Sequence, residues 1–374
     1  MAVSNREEYE DVLGALGACV SLRIPALLWG DPGSGKTSVV ESATDQGWHV
    51  ETLIISHYEP SDFTGLPILV DGKLEFAPPS WAVRLHDNPG PSICFLDEFS
   101  TASPALQAAA LRPLTHYIVG DLQLPNTVAF VAAANPADVA AAGWELAAPT
   151  ASRFVHLDWG LPIEVYSECL VSGQWPAIPV GHLPDGYQVV LDRWRVLLTG
   201  FLRARQAQLS LIPKDAAARG RAFPTPRTWD YAVRLAAYSE AIGARSEVTR
   251  LLVQGCVGDL VAHEFITYAR SQDLPDPEDV LANGFDFASV RPDRVYVVLQ
   301  SVLAAVQRHP TSERWEQAVT ACCMAAVQSG IDPAVPVVRA LLRPGLRPPA
   351  ARLPTQLRVF GPVLALAGLL PKDA

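Results

Sequence analysis

Gly30-Asp31-Pro32-Gly33-Ser34-Gly35-Lys36-Thr37 fits G-x-x-x-x-G-K-[ST], the pattern of a phosphate-binding loop. Its flanks suit it. Pro25 to Trp29 (PALLW) is a short apolar run that reads as a buried strand, and Thr37 to Ala43 (TSVVESA) carries apolar and small residues at helical spacing. Strand, glycine loop and helix are the context the pattern requires. Glycines let the backbone curl until its N–H groups face inward, and the new helix adds its positive end. Gly30, Asp31, Pro32, Gly33, Ser34, Gly35, Lys36, Thr37 and the following Ser38 are the candidate nucleotide-binding residues. In such a loop the lysine reaches the β- and γ-phosphates and the threonine hydroxyl is offered to Mg2+.

Outward from the loop, residues 6–22 read as an amphipathic helix, with Tyr9, Val12, Leu13, Leu16 and Val20 on one face. His49 to Ile55 is a second strand. The stretch 59–80 carries no helical pattern, and Asp71-Gly72 between the extended runs 67–70 and 73–76 predicts a projecting hairpin. That hairpin is either a solvated loop or an insert that contacts a pore or a partner. Ser92 to Asp97 is a buried strand, 104–114 an alanine-rich helix, and Gly120-Asp121 the turn of a second small hairpin. Thr127 to Ala134 is a fourth strand, stopped by Asn135-Pro136, and Arg153 to Leu157 a fifth. Five strands with helical connections predict an α/β fold, a mostly parallel sheet covered on both faces. The expected organisation is an α/β domain over 1–160, a Pro/Gly-rich linker over 161–187, a helical domain over 188–270 and a helical extension over 271–374. Helices are expected at 188–209, 226–242, 246–271, 292–308, 312–329 and 333–343.

Bulk properties narrow the function. A chain of 374 residues, 49% hydrophobic and 18% charged, is globular. A net charge of −10 argues against nucleic acid as the main ligand, as does the lack of an aromatic–basic stripe. The six cysteines form no C-x-x-C pair and sit mostly in apolar runs, which predicts buried free thiols in a reducing compartment. Glu7, Glu8, Glu10 and Asp11 occupy the place where a secretory signal would be basic and then apolar, and Gly361, Pro362 and Gly368 break the late apolar stretch 359–370. A soluble cytoplasmic protein is expected. His57, His86, His116 and His156 match no metal-ligand spacing and are expected on the surface or in loops, with no zinc.

Five further residues carry chemistry. Asp97 and Glu98 close an apolar strand; beside the P-loop strand, its end would place Asp97 near phosphate-bound Mg2+. Glu98 would then polarise a water in line with the γ-phosphate. Asn135 ends the fourth strand, where an amide can hold both the water and the γ-phosphate, although Asn-Pro is also a common turn starter. Arg153, at the start of the fifth strand, could enter a neighbouring subunit's site, and Arg112 is its rival. Arg227 follows Thr225 as N-cap and Pro226 at N1; a cation in a helix's first turn opposes the dipole, which makes sense where an anion binds.

Taken in order, Gly30–Thr37, Asp97-Glu98, Asn135, Ser152-Arg153-Phe154 and Pro226-Arg227 resemble an AAA+ ATPase. The 59–80 insert and the hairpin near Gly120 look like its MoxR branch, close to the dynein-related group that includes NorQ- and CbbQ-type proteins. The resemblance covers residues 8–270; the tail beyond 271 is longer than in the compact NorQ/CbbQ type, so no client carries over. The resemblance implies ATP and Mg2+ as cofactors, Lys36 and Thr37 as Walker A, and Asp97 and Glu98 as Walker B, with Mg2+ on Thr37 and Asp97. It makes Asn135 sensor 1, Arg153 the trans-acting arginine finger and Arg227 sensor 2. It further implies a hexameric ring, a helical lid, and a chaperone that remodels a client with a partner bearing a von Willebrand factor A domain. The competing reading is a nucleic-acid motor or restriction-type NTPase on the same fold. The stretch Ala134-Asn-Pro-Ala-Asp138 lacks the Asn-Thr-x-x-Asp associated with the GTP-using restriction relatives. A non-catalytic scaffold would be expected to lack Lys36 or Glu98, and both are present.

Overall fold

Asn5 starts the first helix by accepting the Glu8 N–H on its side chain, and Arg23, at φ 52°, ends it in the left-handed region. The computed structural model describes residues 3–136, 143–272, 274–343, 345–349 and 351–366. The chain divides into two compact units, Met1–Leu191 with Ala207–Glu264, and Asp192–Gln206 with Phe265–Ala374.

In the first unit the order is α1 (Arg6–Leu22), β1 (Ala26–Trp29), α2 (Lys36–Glu41), β2 (His49–Ile54), α3 (Ser61–Thr64), β3 (Leu66–Val70), β4 (Lys73–Ala77), α4 (Ser80–Asp87), β5 (Ser92–Asp97) and α5 (Pro104–His116). It continues with β6 (Ile118–Val119), β7 (Leu122–Gln123), β8 (Val128–Ala134), α6 (Ala148–Ala151), β9 (Val155–Asp158) and α7 (Ile163–Ser172). α8 (Tyr187–Ala204) begins in this unit; α9 (Ala216–Arg219), α10 (Pro226–Ala241), α11 (Ser246–Val257) and the start of α12 (Asp259–Ser271) complete it.

The sheet has five strands in the order β2-β5-β8-β1-β9, every pairing parallel. β1 and β8 are buried at every residue, as continuous apolar runs covered on both faces must be. Leu27, Phe95, Leu96, Phe130 and Val131 are fully or almost fully withdrawn from water at its centre. The fold class is the one expected from the strand pattern.

One detail of topology differs. The strand ending at Asp97 does not lie next to the P-loop strand; β8 lies between them, paired with β1 through Ala133 and with β5 through Ala132. The apolar run of β8, small at its carboxyl end, is suited to the most enclosed position of the sheet, and Asn135 therefore emerges between the loop and Asp97.

Other differences are local. Arg153 does not begin a strand: it follows the short helix α6 in a turn, and β9 starts at Val155. The stretch 161–187, expected as a linker, contains the ten-residue helix α7. The helix expected over 246–271 breaks at Gly258, whose φ of +84° glycine adopts at little cost and other residue types only under strain. His156 is not at the surface; it sits in the core strand β9 and is buried. All six cysteines are free and buried.

Two hairpins stand apart from the main sheet. β3 and β4 pair antiparallel around Asp71-Gly72, both with positive φ, the turn that Asp-Gly favours. Cross-strand partners share a face, so Pro67, Leu69, Leu74 and Phe76 make one side of the ribbon wholly apolar, and Leu69 is 78% exposed. β6 and β7 form the second hairpin. Gly120 joins the two: at φ +59° its α-carbon lies so close to β4 that a Cβ there would come within 2.5 Å of the Phe76 carbonyl.

The second unit is helical. After the rest of α8 and α12 come α13 (Pro277–Asn283), which the sequence pattern did not reveal, α14 (Pro292–Arg308), α15 (Ser312–Ser329), α16 (Val335–Leu341) and α17 (Gly361–Leu366). Its core gathers Val298, Val302, Trp315, Val319, Val338 and Phe360, and the Trp315 indole N–H donates to the Leu341 carbonyl at 2.8 Å. No helix among the described residues is long and apolar enough to cross a membrane.

Candidate nucleotide site

The loop after β1 closes on itself. Gly33 and Gly35 take φ of +75° and +78°, and Gly30 leaves no room for a side chain, since a Cβ would lie 2.6 Å from the Trp159 carbonyl. Ser34 Oγ donates to the Asp31 carbonyl at 2.7 Å, and the Trp159 indole donates to the Ser34 carbonyl at 3.0 Å, fixing the loop from its open side. Lys36, buried, donates to the carbonyls of Gly30 (2.7 Å) and Asp31 (2.9 Å) and to Asn135 Oδ1 (3.0 Å). Burial lowers its pKa, while Asp97 and Asp31 oppose that shift.

Thr37 Oγ1 donates to Asp97 Oδ2 at 2.8 Å, across the gap that β8 leaves between α2 and β5. Asp97 Oδ1 accepts the Glu98 N–H at 2.9 Å. Glu98 has left the strand and stands at φ 57°, a left-handed conformation that is uncommon for a residue with a side chain. Its carboxylate accepts a bond from Ser56 Oγ at 3.3 Å. Asn135 is set by its own N–H, which donates to Ser100 Oγ at 3.3 Å.

These groups surround one cavity of about 310 Å³. Pro32, Gly33, Ser34, Gly35, Lys36, Thr37 and Ser38 line it, facing Asp97, Glu98 and Asn135. Gly30 and Asp31 do not reach the cavity and serve it through the carbonyls that hold Lys36. A Thr hydroxyl touching a carboxylate at the phosphate end is the donor set a phosphate-bound Mg2+ uses, which keeps several waters and needs few protein oxygens. Among the described residues no cluster of three His, Cys, Asp or Glu side chains is placed to hold a metal by itself.

Arg153 and Arg227 lie outside this cavity and next to one another. Arg153 Nε donates to Thr115 Oγ1 at 2.6 Å and its Nη1 to the Pro149 carbonyl at 2.5 Å. Arg227 Nη1 donates to Ser152 Oγ at 3.3 Å, and α10 starts as its sequence suggests, with Thr225 N accepted by Thr228 Oγ1 and Thr228 N by Thr225 Oγ1. Burial first, and the Arg227 charge second, lower the Arg153 pKa. Neither arginine is ion-paired to a carboxylate among the described residues. Arg112 instead donates to the Gly120 carbonyl at 2.9 Å and belongs to the hairpin.

Residues 25–154 match the AAA domain of the dynein-related subfamily. The match runs from the strand before the loop to Phe154 and takes in Lys36, Thr37, Asp97, Glu98, Asn135 and Arg153. Domains of that family bind nucleotide, and the matched stretch includes the loop, carboxylates and amide that line the cavity. No curated protein matches the chain. Among the solved structures it resembles are a protein of Cytophaga hutchinsonii, whose ATPase assignment is itself provisional, at 14% identity over 70% of this chain and 93% of that one, TM-score 0.40; and a full-length MCM homolog of Methanopyrus kandleri at 17% identity over 66% of this chain, TM-score 0.38. The chain spans 55% of the latter's length. Both likenesses are too loose to bear on function.

Sequence reading missed four residues at the candidate site: Ser56, which holds Glu98, and Leu161, Tyr166 and Trp175, which wall the cavity. Ser56 gives no local signal. Trp175 had one, a large aromatic residue in a Pro/Gly-rich stretch, where a free loop would not carry it.

Proposed function

We propose that the chain is an ATP-hydrolysing remodelling chaperone of the MoxR type, working as a ring. The observation that carries hydrolysis is the convergence of Lys36, Thr37, Asp97, Glu98 and Asn135 on one cavity. Lys36 exchanges the Gly30 and Asp31 carbonyls for the β- and γ-phosphates, a trade made easy by its proximity to both loop and amide. Thr37 and Asp97 would hold Mg2+, which when bound neutralises charge on the phosphates. Asn135 orients the attacking water, and Glu98 takes its proton as the new O–P bond forms and the bond from the γ-phosphorus to the β–γ bridging oxygen breaks, leaving ADP and phosphate.

Arg153 and Arg227 favour the ring. Two adjacent guanidiniums without a carboxylate partner among the described residues, outside their own chain's cavity, suit the γ-phosphate of a neighbouring copy. The apolar face of the β3–β4 ribbon suits a protein client, and a partner with a von Willebrand factor A domain goes with the MoxR reading. The −10 charge counts against the nucleic-acid motor.

Glu98→Gln tests the core of this reading. Turnover of ATP should fall by at least about a hundredfold, the share of a general base, while ATP binding persists. Unchanged turnover removes Glu98 from the chemistry, and turnover stimulated by DNA moves the chain to the motor class.

A further inference from the structure

A second cavity, of about 300 Å³, lies at the other end of the sheet. Pro25, on its wall, precedes β1, and Asn126 precedes β8, whereas the phosphate loop and Asn135 follow those strands. The cavity forms where the ends of α1 and α5 meet α10. Arg23 closes α1, Tyr117 closes α5, and Tyr231 and Arg234 stand on α10. Thr115 and Asn126 complete the polar lining.

Its donors lack acceptors. Among the described residues neither the Arg23 guanidinium nor the Tyr231 hydroxyl has a hydrogen-bond partner. Arg234 has Asp230 at 3.4 Å, a long pair at the surface that is worth little. Arg153 and Arg227 do not line the cavity but stand just beyond it. Thr115 Oγ1, on the wall, accepts from Arg153 Nε at 2.6 Å. Burial raises the Tyr231 pKa, and the charges of Arg227, Arg234 and Arg153 pull it back. Four guanidiniums thus share one carboxylate among the described residues. A cation at a helix's C-terminus can be there for the helix alone. Here the carbonyls at those ends are satisfied without either guanidinium. Cys19 accepts the Ile24 N–H at 3.0 Å, Val20 the Arg23 N–H at 3.1 Å, and the Arg23 carbonyl the Tyr117 hydroxyl at 2.9 Å. At α5 the Gln123 amide donates to the carbonyls of His116 (3.2 Å) and Tyr117 (3.0 Å).

We propose that this cavity is a second anion site, which takes the phosphate group of a small phosphate monoester on Arg23 and Arg234, with the Tyr231 hydroxyl as a further donor. The guanidinium fork matches phosphate oxygens, and Arg234 gives up only its long bond to Asp230. The donors come from four places in the chain: the ends of α1 and α5, the turn before β8, and α10. A phosphate, with three free oxygens and more than one charge, can answer several of them at once, whereas a carboxylate has two oxygens and a single charge. A volume of about 300 Å³ is that of a small organic ligand, and the Tyr117 and Tyr231 rings give its carbon part a surface. The site is independent of nucleotide hydrolysis, whose groups sit at the opposite end of the strands.

The test titrates the full chain with phenyl phosphate and with benzoate, at constant ionic strength, by calorimetry. Lys36→Ala disables the phosphate loop, so binding that survives it belongs elsewhere. Phenyl phosphate should still bind Lys36→Ala, and Arg23→Gln or Arg234→Gln added to that background should each weaken it about tenfold, the effect of one charge-assisted hydrogen bond. Benzoate should bind about tenfold more weakly than phenyl phosphate. Binding abolished by Lys36→Ala alone, affinity unmoved by both arginine substitutions, or benzoate bound as well as phenyl phosphate overturns the proposal. Should the variants fail to fold, the wild-type chain decides. Phenyl phosphate should then slow the modification of Arg23 and Arg234 by phenylglyoxal, mapped by peptide mass, and unchanged rates at both overturn it.

Discussion

Ser56 Oγ donates to Glu98 Oε2 at 3.3 Å, tying the end of β2 to the group that would activate water. Ser56 lies in the 3-10 turn Ile55–His57, three residues before the insert that carries the apolar ribbon begins. Ser56→Ala should raise ATP turnover several-fold in the absence of any partner, since one exposed hydrogen bond is worth on the order of 1 kcal/mol. Steady-state phosphate release measures it. A fall instead of a rise would show that Ser56 supports the working position of Glu98.

Arg153 and Arg227 lie next to one another, outside the cavity. Arg153→Ala should abolish turnover in a pure assembly and regain part of it when mixed with Lys36→Ala chains, whose arginines are intact. Phosphate release across a mixing series reads this directly, and absence of any recovery would remove the trans role. Arg112→Ala, by contrast, should leave complementation untouched, because Arg112 is spent on the Gly120 carbonyl.

His156 gives the chain an acid sensitivity. Its Nδ1 accepts the Trp29 indole N–H at 2.9 Å and its Nε2 lies 2.9 Å from the Ala151 carbonyl, so the neutral ring with its proton on Nε2 satisfies both. Burial, partly offset by the Ala151 carbonyl, pushes its pKa down to about 4. The folded value lies below the unfolded one, so the unfolded chain binds the proton first. The neutral ring's contribution is complete above about pH 6.5 and is lost as pH falls toward 4, at most about 3 kcal/mol. Thermal unfolding between pH 7 and 4.5 should show the decline, and His156→Gln should flatten it. An unchanged slope would place the acid sensitivity elsewhere.

The two hairpins are tied to one another through Asp121. Its Oδ2 accepts the Phe76 N–H at 2.7 Å and its own N–H donates to the Phe76 carbonyl at 3.0 Å. Gly120→Ala should destabilise by about 1–3 kcal/mol, from the left-handed φ and the collision with the Phe76 carbonyl. Asp121→Ala should leave the domain folded but lower hydrogen-exchange protection at the Phe76 amide. Protection that stays the same would mean the ribbon is held by other contacts.

Much of the fold could be read along the chain because local pattern sufficed. PALLW, SICFLD and VAFVAAA are buried strands by their unbroken apolar character, Asp71-Gly72 is a turn by its φ requirements, and Thr225-Pro226 opens a helix by capping. α7 was obscured by the prolines and glycines on its C-terminal side, and α13 is only seven residues long. His156 reads as an ordinary polar residue until β9 carries it inside, where Trp29 and Ala151 satisfy both ring nitrogens.

The sequence by itself determined the phosphate loop and the kinds of groups that serve it, because a glycine pattern, a lysine and a strand-ending Asp-Glu pair state their chemistry through residue type and short-range spacing. The tertiary structure decided which of them meet. Strand order is a long-range choice: placing β8 between β1 and β5 delivers Asn135 between Lys36 and Asp97, yet still lets Thr37 reach Asp97 at 2.8 Å. The same long-range packing brought Ser56 to Glu98, Arg227 to Arg153 and Trp175 to Gly35. Partners separated by tens of residues leave no mark in local pattern, because only the close packing of the folded chain brings them within a hydrogen bond or a van der Waals radius of one another.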